Sequence, residues 1–116
     1  MPPLGDPERP IFLAALSEWK SAGGIVWEPA AAEWVRLHLK HTQRDLGEKL
    51  FEYAKSGGQI SKVRETRENW RDLHEFHYDI VLPFEKRRVY VEMRLISDSR
   101  VNPPHIHIVN VHWSAS

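Results

Sequence analysis

Side-chain polarity in the second half of the chain alternates with a period of two, and this constrains the fold more than any other feature. From Glu75 to Leu82, the residues Phe76, Tyr78, Ile80 and Leu82 fall on one side and Glu75, His77, Asp79 and Val81 on the other. Arg88 to Ile96 repeats the pattern, with Val89, Val91, Met93 and Leu95 opposed to Arg88, Tyr90, Glu92 and Arg94. In a third run, His105 to Trp113, Ile106 and Ile108 oppose His105 and His107. Successive side chains of a strand point to opposite faces, so strict alternation marks an antiparallel sheet with one face buried and one solvated. A polar turn from Pro83 to Arg87 and a loop bearing Asp98, Asn102, Pro103 and Pro104 separate the runs, which together predict a β-meander.

The first half has a different period. Residues 1–10 hold four of the eight prolines and read as an extended lead-in. Ile11, Phe12, Ala15, Leu16 and Trp19 recur at helical spacing, predicting a helix from about Glu8 to Ala22 that Gly23-Gly24 stops. Ile25-Val26-Trp27 is either a short strand or a buried connector. Pro29 suits the first turn of a second helix reaching about Lys40. Thr42 with Asp45 three residues on resembles a capped start for a third, through Leu46, Leu50, Phe51 and Ala54 to about Lys55. Residues 60–67 are ambiguous and fit a polar edge strand. The expectation is one α+β domain over residues 1–116, mainly helical over 1–58 and a β-meander over 59–116. Its N-terminal helices pack on one face of a three- to four-stranded antiparallel sheet.

Composition narrows the chemistry. The absence of cysteine excludes disulfides, zinc ribbons and thiol nucleophiles, and fits a reducing cytoplasm. No apolar run approaches the roughly 18 residues needed to span a membrane, and the first residues lack the pattern of a secretory signal. Basic and acidic residues balance at 16 each, which argues against binding nucleic acid through a global field but leaves room for a local patch.

If Leu82 pairs with Val89, then Ile80 faces Val91, Tyr78 faces Met93, Asp79 faces Glu92 and His77 faces Arg94. A slip of one residue would mix the apolar and charged faces, whereas a slip of two would keep them sorted. With the third run beside the second, one open face gathers His77, Asp79, Arg88, Tyr90, Glu92, Arg94, His105 and His107. These are the groups needed to cleave RNA through its 2′-hydroxyl. A His or Glu takes the 2′ proton, a second His protonates the leaving 5′-oxygen, and arginines hold the phosphorane charge. Imidazole suits both proton transfers because its unperturbed pKa of about 6.5 populates both forms near neutrality.

Each feature has a plainer account. Alternating Arg, Glu, Asp and His also keep an ordinary sheet face soluble and cross-paired. His38 and His41 fit structural or surface positions, His112 shares the parity of Ile106 and fits the core edge, and the Trp residues fit core packing. His105 and His107, with His77 or Glu92 as a third ligand, also spell a metal site, although any alternating strand with two His produces that spacing. Lys86, Arg87 and Arg88, with Lys62, Arg64, Arg67 and Arg71, can form a basic rim for an RNA backbone. Glu65, Glu68 and Asp72 interleave with the latter group, as in a charged edge.

The order of elements, with Phe76-His77-Tyr78-Asp79-Ile80-Val81, Arg88-Val89-Tyr90-Val91-Glu92-Met93-Arg94 and Ile106-His107-Ile108-Val109-Asn110-Val111, resembles the RelE/ParE-like toxins and, more broadly, the barnase- and colicin-like ribonucleases. The resemblance spans roughly residues 40–113. It implies a small metal-independent endoribonuclease without cofactors, acting on RNA and often paired with an antitoxin. Arg88, Glu92, Arg94 and His107 would fill its catalytic roles. The alternatives are a non-enzymatic module that docks an antitoxin or a phage or host factor, and a metal-dependent enzyme built on His105 and His107.

Overall fold

The computed structural model describes residues 4–5, 7–67, 75–96 and 104–114. Helix α1 (Glu8–Leu16) buries Phe12, Ala15 and Leu16 and gives way to a 3₁₀ turn over Ser17–Lys20, so the regular helix stops short of Ala22. Strand β1 (Ile25–Trp27) follows. Helix α2 (Pro29–Trp34) opens on the expected proline, whose missing N–H a first turn does not need. It widens into a π-helical turn over Val35–Leu39 and ends at Lys40, which takes φ 58°.

Helix α3 (Gln43–Lys55) begins with the reciprocal cap read from the sequence. The Asp45 N–H donates to Thr42 Oγ1 at 3.0 Å, and the Thr42 N–H donates to Asp45 Oδ2 at 3.0 Å. Leu46, Leu50 and Ala54 form its buried stripe. At its far end Arg9 donates from Nη2 to the carbonyls of Ala54 (2.7 Å) and Gly58 (2.8 Å), filling acceptors that a helix terminus leaves open. Gly47 sits inside this helix, where glycine costs about 1 kcal/mol relative to alanine. A Cβ there would lie 3.0 Å from the Trp19 Cβ, so its absence lets the 3₁₀ turn close against α3.

The sheet adds β2 (Ser61–Arg64), β3 (Phe76–Phe84), β4 (Arg87–Ile96) and β5 (His105–Trp113), in the order β1-β5-β4-β3-β2. Leu82 faces Val89, Ile80 faces Val91, Tyr78 faces Met93 and Asp79 faces Glu92, one of the registers that keep the two faces sorted. The strand count and direction differ from the expectation. Residues 61–64 pair antiparallel with β3, and Ile25–Trp27 adds a fifth strand parallel to β5, with Ile25 beside Ile106. The sheet is therefore mixed rather than wholly antiparallel. A run of three residues is too short to display a period, and its partner is remote in sequence.

Strand β5 also breaks its own alternation. Asn110 lies opposite Glu92 and Ile108 opposite Met93, which leaves Val109 as the extra residue of a β-bulge. Past the bulge the parity inverts. Val111 turns inward, whereas His112, expected at the core edge, lies exposed on the open face and stacks on Tyr90 at 4.7 Å.

All three helices cover the other face. Their apolar stripes meet Tyr78, Ile80, Leu82, Val89, Val91, Met93, Ile106, Ile108 and Val111 in one cluster. Each fully buried aliphatic side chain there contributes roughly 1.5–3 kcal/mol. Trp27, Trp34 and Trp113 pack at its margin, as expected, whereas Trp19 lies half-buried against Gly47 and Arg44 and Trp70 lies outside the described residues. Among the described residues no helix is long and apolar enough to cross a membrane.

Candidate functional site

Among the described residues, the face that the helices leave uncovered carries three that are charged and buried. Arg94 is 1% exposed, Glu92 4% and Glu65 5%. Pairing places them: Glu92 and Arg94 are outward residues of β4, and Glu65 continues the outward parity of Ser61 and Val63 just beyond β2. The Glu65 N–H bonds to the Glu75 carbonyl at 2.9 Å, which holds this end of β2 beside β3.

Arg94 Nη2 donates to Glu65 Oε2 at 2.9 Å. Arg67 folds over the same carboxylate, with Nε on Oε1 at 2.8 Å, Nη2 on Oε2 at 2.9 Å and its backbone N–H on Oε1 at 3.0 Å. The Arg67 Nη2 also contacts Glu92 Oε2. Two acids and two guanidiniums thus alternate, and their formal charges cancel. Arg67 holds the Glu65 carboxyl well below the usual carboxylate range, overcoming the opposing effect of burial, with Arg94 adding to the shift. The Glu65 and Glu92 carboxylates hold the Arg67 guanidinium firmly protonated. With its side chain 47% exposed, Arg67 is the member of the cluster that solvent reaches.

Beside this cluster runs a second chain of contacts. His77 Nδ1 lies 2.8 Å from Asp79 Oδ1, and the Tyr90 hydroxyl hydrogen-bonds the same carboxylate. Burial pushes the Asp79 carboxyl up, against the bonds from His77 and Tyr90. Burial also pushes the Tyr90 hydroxyl well above its ordinary value, and the Asp79 charge adds to the shift. Tyr90 therefore remains a hydrogen-bond donor at neutral pH. His77 Nδ1 faces Asp79, and the His77 side chain is 12% exposed. On β5, His107 lies opposite Arg94, and its Nε2 is 3.0 Å from Glu28 Oε1.

The structure brings together His77, Asp79, Tyr90, Glu92 and Arg94, and places His105 and His107 on the adjoining strand of the same face. Arg88 lies at the far end, in the wall of a cavity of about 520 Å³ that reaches Asp79 and Tyr90. The basic rim is dispersed. Arg67 belongs to the central cluster, whereas Lys62 and Arg64 face Tyr78 and Phe76 on the helix-covered side. Both lie over the Phe76 ring, at 4.1 and 5.1 Å from its centroid. Lys86 lies in the β3–β4 turn, and Arg87 stacks on Trp113 at 3.8 Å. Glu68, Arg71 and Asp72, and the loop residues Asp98, Asn102 and Pro103, lie outside the described residues.

Sequence reading missed Glu65 as a member of the site. Its signal was present, because Ser61, Val63 and Glu65 share one parity, but four residues of strand were too few to establish it. The His, Asp and Glu side chains best grouped to hold a metal also differ from the His105–His107 pair. Among the described residues they are Glu65, His77 and Glu92, each offering a ligand atom within 4.8 Å of the others. A cation there would compete with Arg67 and Arg94 for the same carboxylates. No protein-family model, curated protein or solved structure matches the chain.

Proposed function

We propose that the open face cleaves RNA by metal-independent attack of the 2′-hydroxyl. The observation that carries this reading is a histidine oriented by a carboxylate, His77 on Asp79 at 2.8 Å, beside a solvent-reachable guanidinium, Arg67. His77 Nε2 takes the 2′ proton as the 2′-oxygen bonds to phosphorus. The bond from phosphorus to the 5′-oxygen breaks, and His107 returns a proton to that oxygen. Arg67 neutralises the non-bridging oxygens, with Glu65, Glu92 and Arg94 fixing where its fork points. The products are a 2′,3′-cyclic phosphate and a 5′-hydroxyl, with no net consumption of protons. His107 lies opposite Arg94 on β5, and His77 shares the outward parity of Asp79, the partner of Glu92 on β3, so the two imidazoles stand on the strands either side of β4.

The test is incubation of the purified chain with single-stranded RNA in excess EDTA, followed by analysis of the new ends. Cyclic phosphate ends that disappear in His77→Ala support the reading; undiminished cleavage by that variant sinks it. Cleavage that requires added divalent cation would instead favour a metal enzyme on Glu65, His77 and Glu92.

One observation favours a non-enzymatic reading, namely that Glu65, Arg67, Glu92 and Arg94 satisfy one another's charges. In that case the face docks a protein partner. Growth arrest on expression that survives both His77→Ala and Arg67→Ala would support it.

A further inference from the structure

The cavity beside the cluster has a chemistry of its own. At about 520 Å³ it falls within the roughly 300–1,000 Å³ of sites that hold small organic groups. Val63 and Val81 line it with apolar surface, and Tyr53 adds an aromatic ring. That ring packs on Gly58 so closely that a Cβ there would overlap it, and the Gly58 N–H donates to the Tyr53 carbonyl at 2.9 Å. Gln59 donates from Nε2 to Ser61 Oγ at 3.2 Å, which leaves its amide oxygen to accept from another donor. Arg88, exposed at the end away from His77, supplies a positive charge.

An aromatic ring, an apolar floor, an amide acceptor and a cation are the parts that hold an unpaired base and its phosphate. Asp79 and Tyr90 belong both to the cavity wall and to the contacts that orient His77. From this we infer that the cavity is a nucleoside subsite, taking the base of the nucleotide whose 2′-hydroxyl His77 deprotonates. The inference rests on the ribonuclease reading and gives it a substrate side. The base lies between Tyr53 and the two valines, its ribose turns toward Asp79 and His77, and Arg88 meets the phosphate on the 5′ side. Gln59 makes the subsite selective, since a base that offers a donor to its amide oxygen gains a bond that the others lack.

The test uses the full chain and two substitutions at the cavity surface, Val81→Trp and Gln59→Ala. Val81 is 37% exposed, so a larger side chain fills the cavity without entering the core. Calorimetric titration with each of the four nucleoside 3′-phosphates, and with ribose phosphate as a baseless control, reports the subsite directly. Nucleotides are expected to bind better than the control, and Val81→Trp to remove that advantage, a loss on the order of tenfold or more in affinity. Gln59→Ala is expected to level the differences among the four bases while circular dichroism stays unchanged. Nucleotides that bind no better than ribose phosphate, or that bind Val81→Trp as well as the parent, overturn the subsite.

The two proposals fail separately. RNA cleavage that keeps its rate and base preference in both variants removes the subsite and leaves the ribonuclease. Val81-dependent nucleotide binding without any RNA cleavage supports the subsite and removes the ribonuclease.

Discussion

Arg94 and Glu65 meet at 2.9 Å on the uncovered face of the sheet, and each side chain is only 1% exposed. An ion pair so deeply buried, on the side opposite the hydrophobic core, ties the segment after β2 to β4 across the width of β3. Removing either partner unbalances a buried four-member cluster whose formal charges otherwise cancel. Glu65→Ala or Arg94→Ala is therefore expected to lower stability by roughly 3–5 kcal/mol in equilibrium denaturation. The double variant Glu65→Leu with Arg94→Met should recover much of that loss, because it leaves no uncompensated charge. Additive losses in the double-mutant cycle would show that the pair is not coupled.

Acid should act through the same carboxylate. Glu65 binds its proton near pH 4.5 in an unfolded chain and only at much lower pH when folded. A depressed folded pKa contributes stability that is fully present above the unfolded value and is lost as pH falls through the folded one. The contribution should therefore be constant through neutrality and decline below about pH 4.5. Glu65→Gln is expected to flatten this acid limb in denaturation curves taken at successive pH values.

At the alkaline end the tyrosines separate. Burial, aided by the Glu8 charge, pushes the Tyr78 hydroxyl up to about 12, and burial with the Asp79 charge raises Tyr90 as well. Because these folded values lie above the unfolded one near 10, the neutral phenols favour folding below that pH. That contribution is lost as pH rises toward the folded values. Phenolate absorbance is expected to show Tyr78 and Tyr90 titrating late, with Tyr78→Phe and Tyr90→Phe each removing one late step.

In the proposed cleavage Asp79 acts chiefly by orienting His77, so its replacement should cost less than loss of the histidine itself. His77→Ala is expected to slow cleavage roughly 100- to 10,000-fold, the range of one positioned acid–base group. Asp79→Asn should produce a smaller fall in kcat, with KM little changed and a displaced pH–rate profile. An Asp79→Asn profile that superimposes on the parent's would assign Asp79 a purely structural role.

How much of this was legible in the sequence depended on run length. Nine or ten residues of alternation in β3 and β4 sufficed to set which side chains share a face and to exclude a one-residue slip, while the choice of Leu82–Val89 over a two-residue slip came only with the structure. The Thr42–Asp45 cap was equally readable, being a local device whose partners lie three residues apart. Ile25–Trp27 was too short to reveal a strand whose partner lies at the other end of the chain. His112 was assigned to the wrong face because the parity rule assumes an unbroken ladder, and nothing in Val109 itself announces a bulge. Arg64 and Arg67 looked alike as edge cations. Their opposite fates follow from parity, which sets Arg64 over Phe76, and from the buried acids at Glu65 and Glu92 that attract Arg67.

The parallel contact of β1 with β5 bears on how the chain folds as well as on what it becomes. Ile25, Val26 and Trp27 find their partners at Ile106, His107 and Ile108, so this edge depends on contacts between residues remote in the chain. Closing so large a loop is entropically costly before its contacts can compensate, and such non-local pairing slows folding. The β3–β4 hairpin, whose strands meet through the short turn at Glu85 and Lys86, has the opposite character and can form early. The face that carries His77, Asp79, Tyr90 and Glu92 would then be templated at the start of folding. His107, held by Glu28 at the head of α2, would join it at the end.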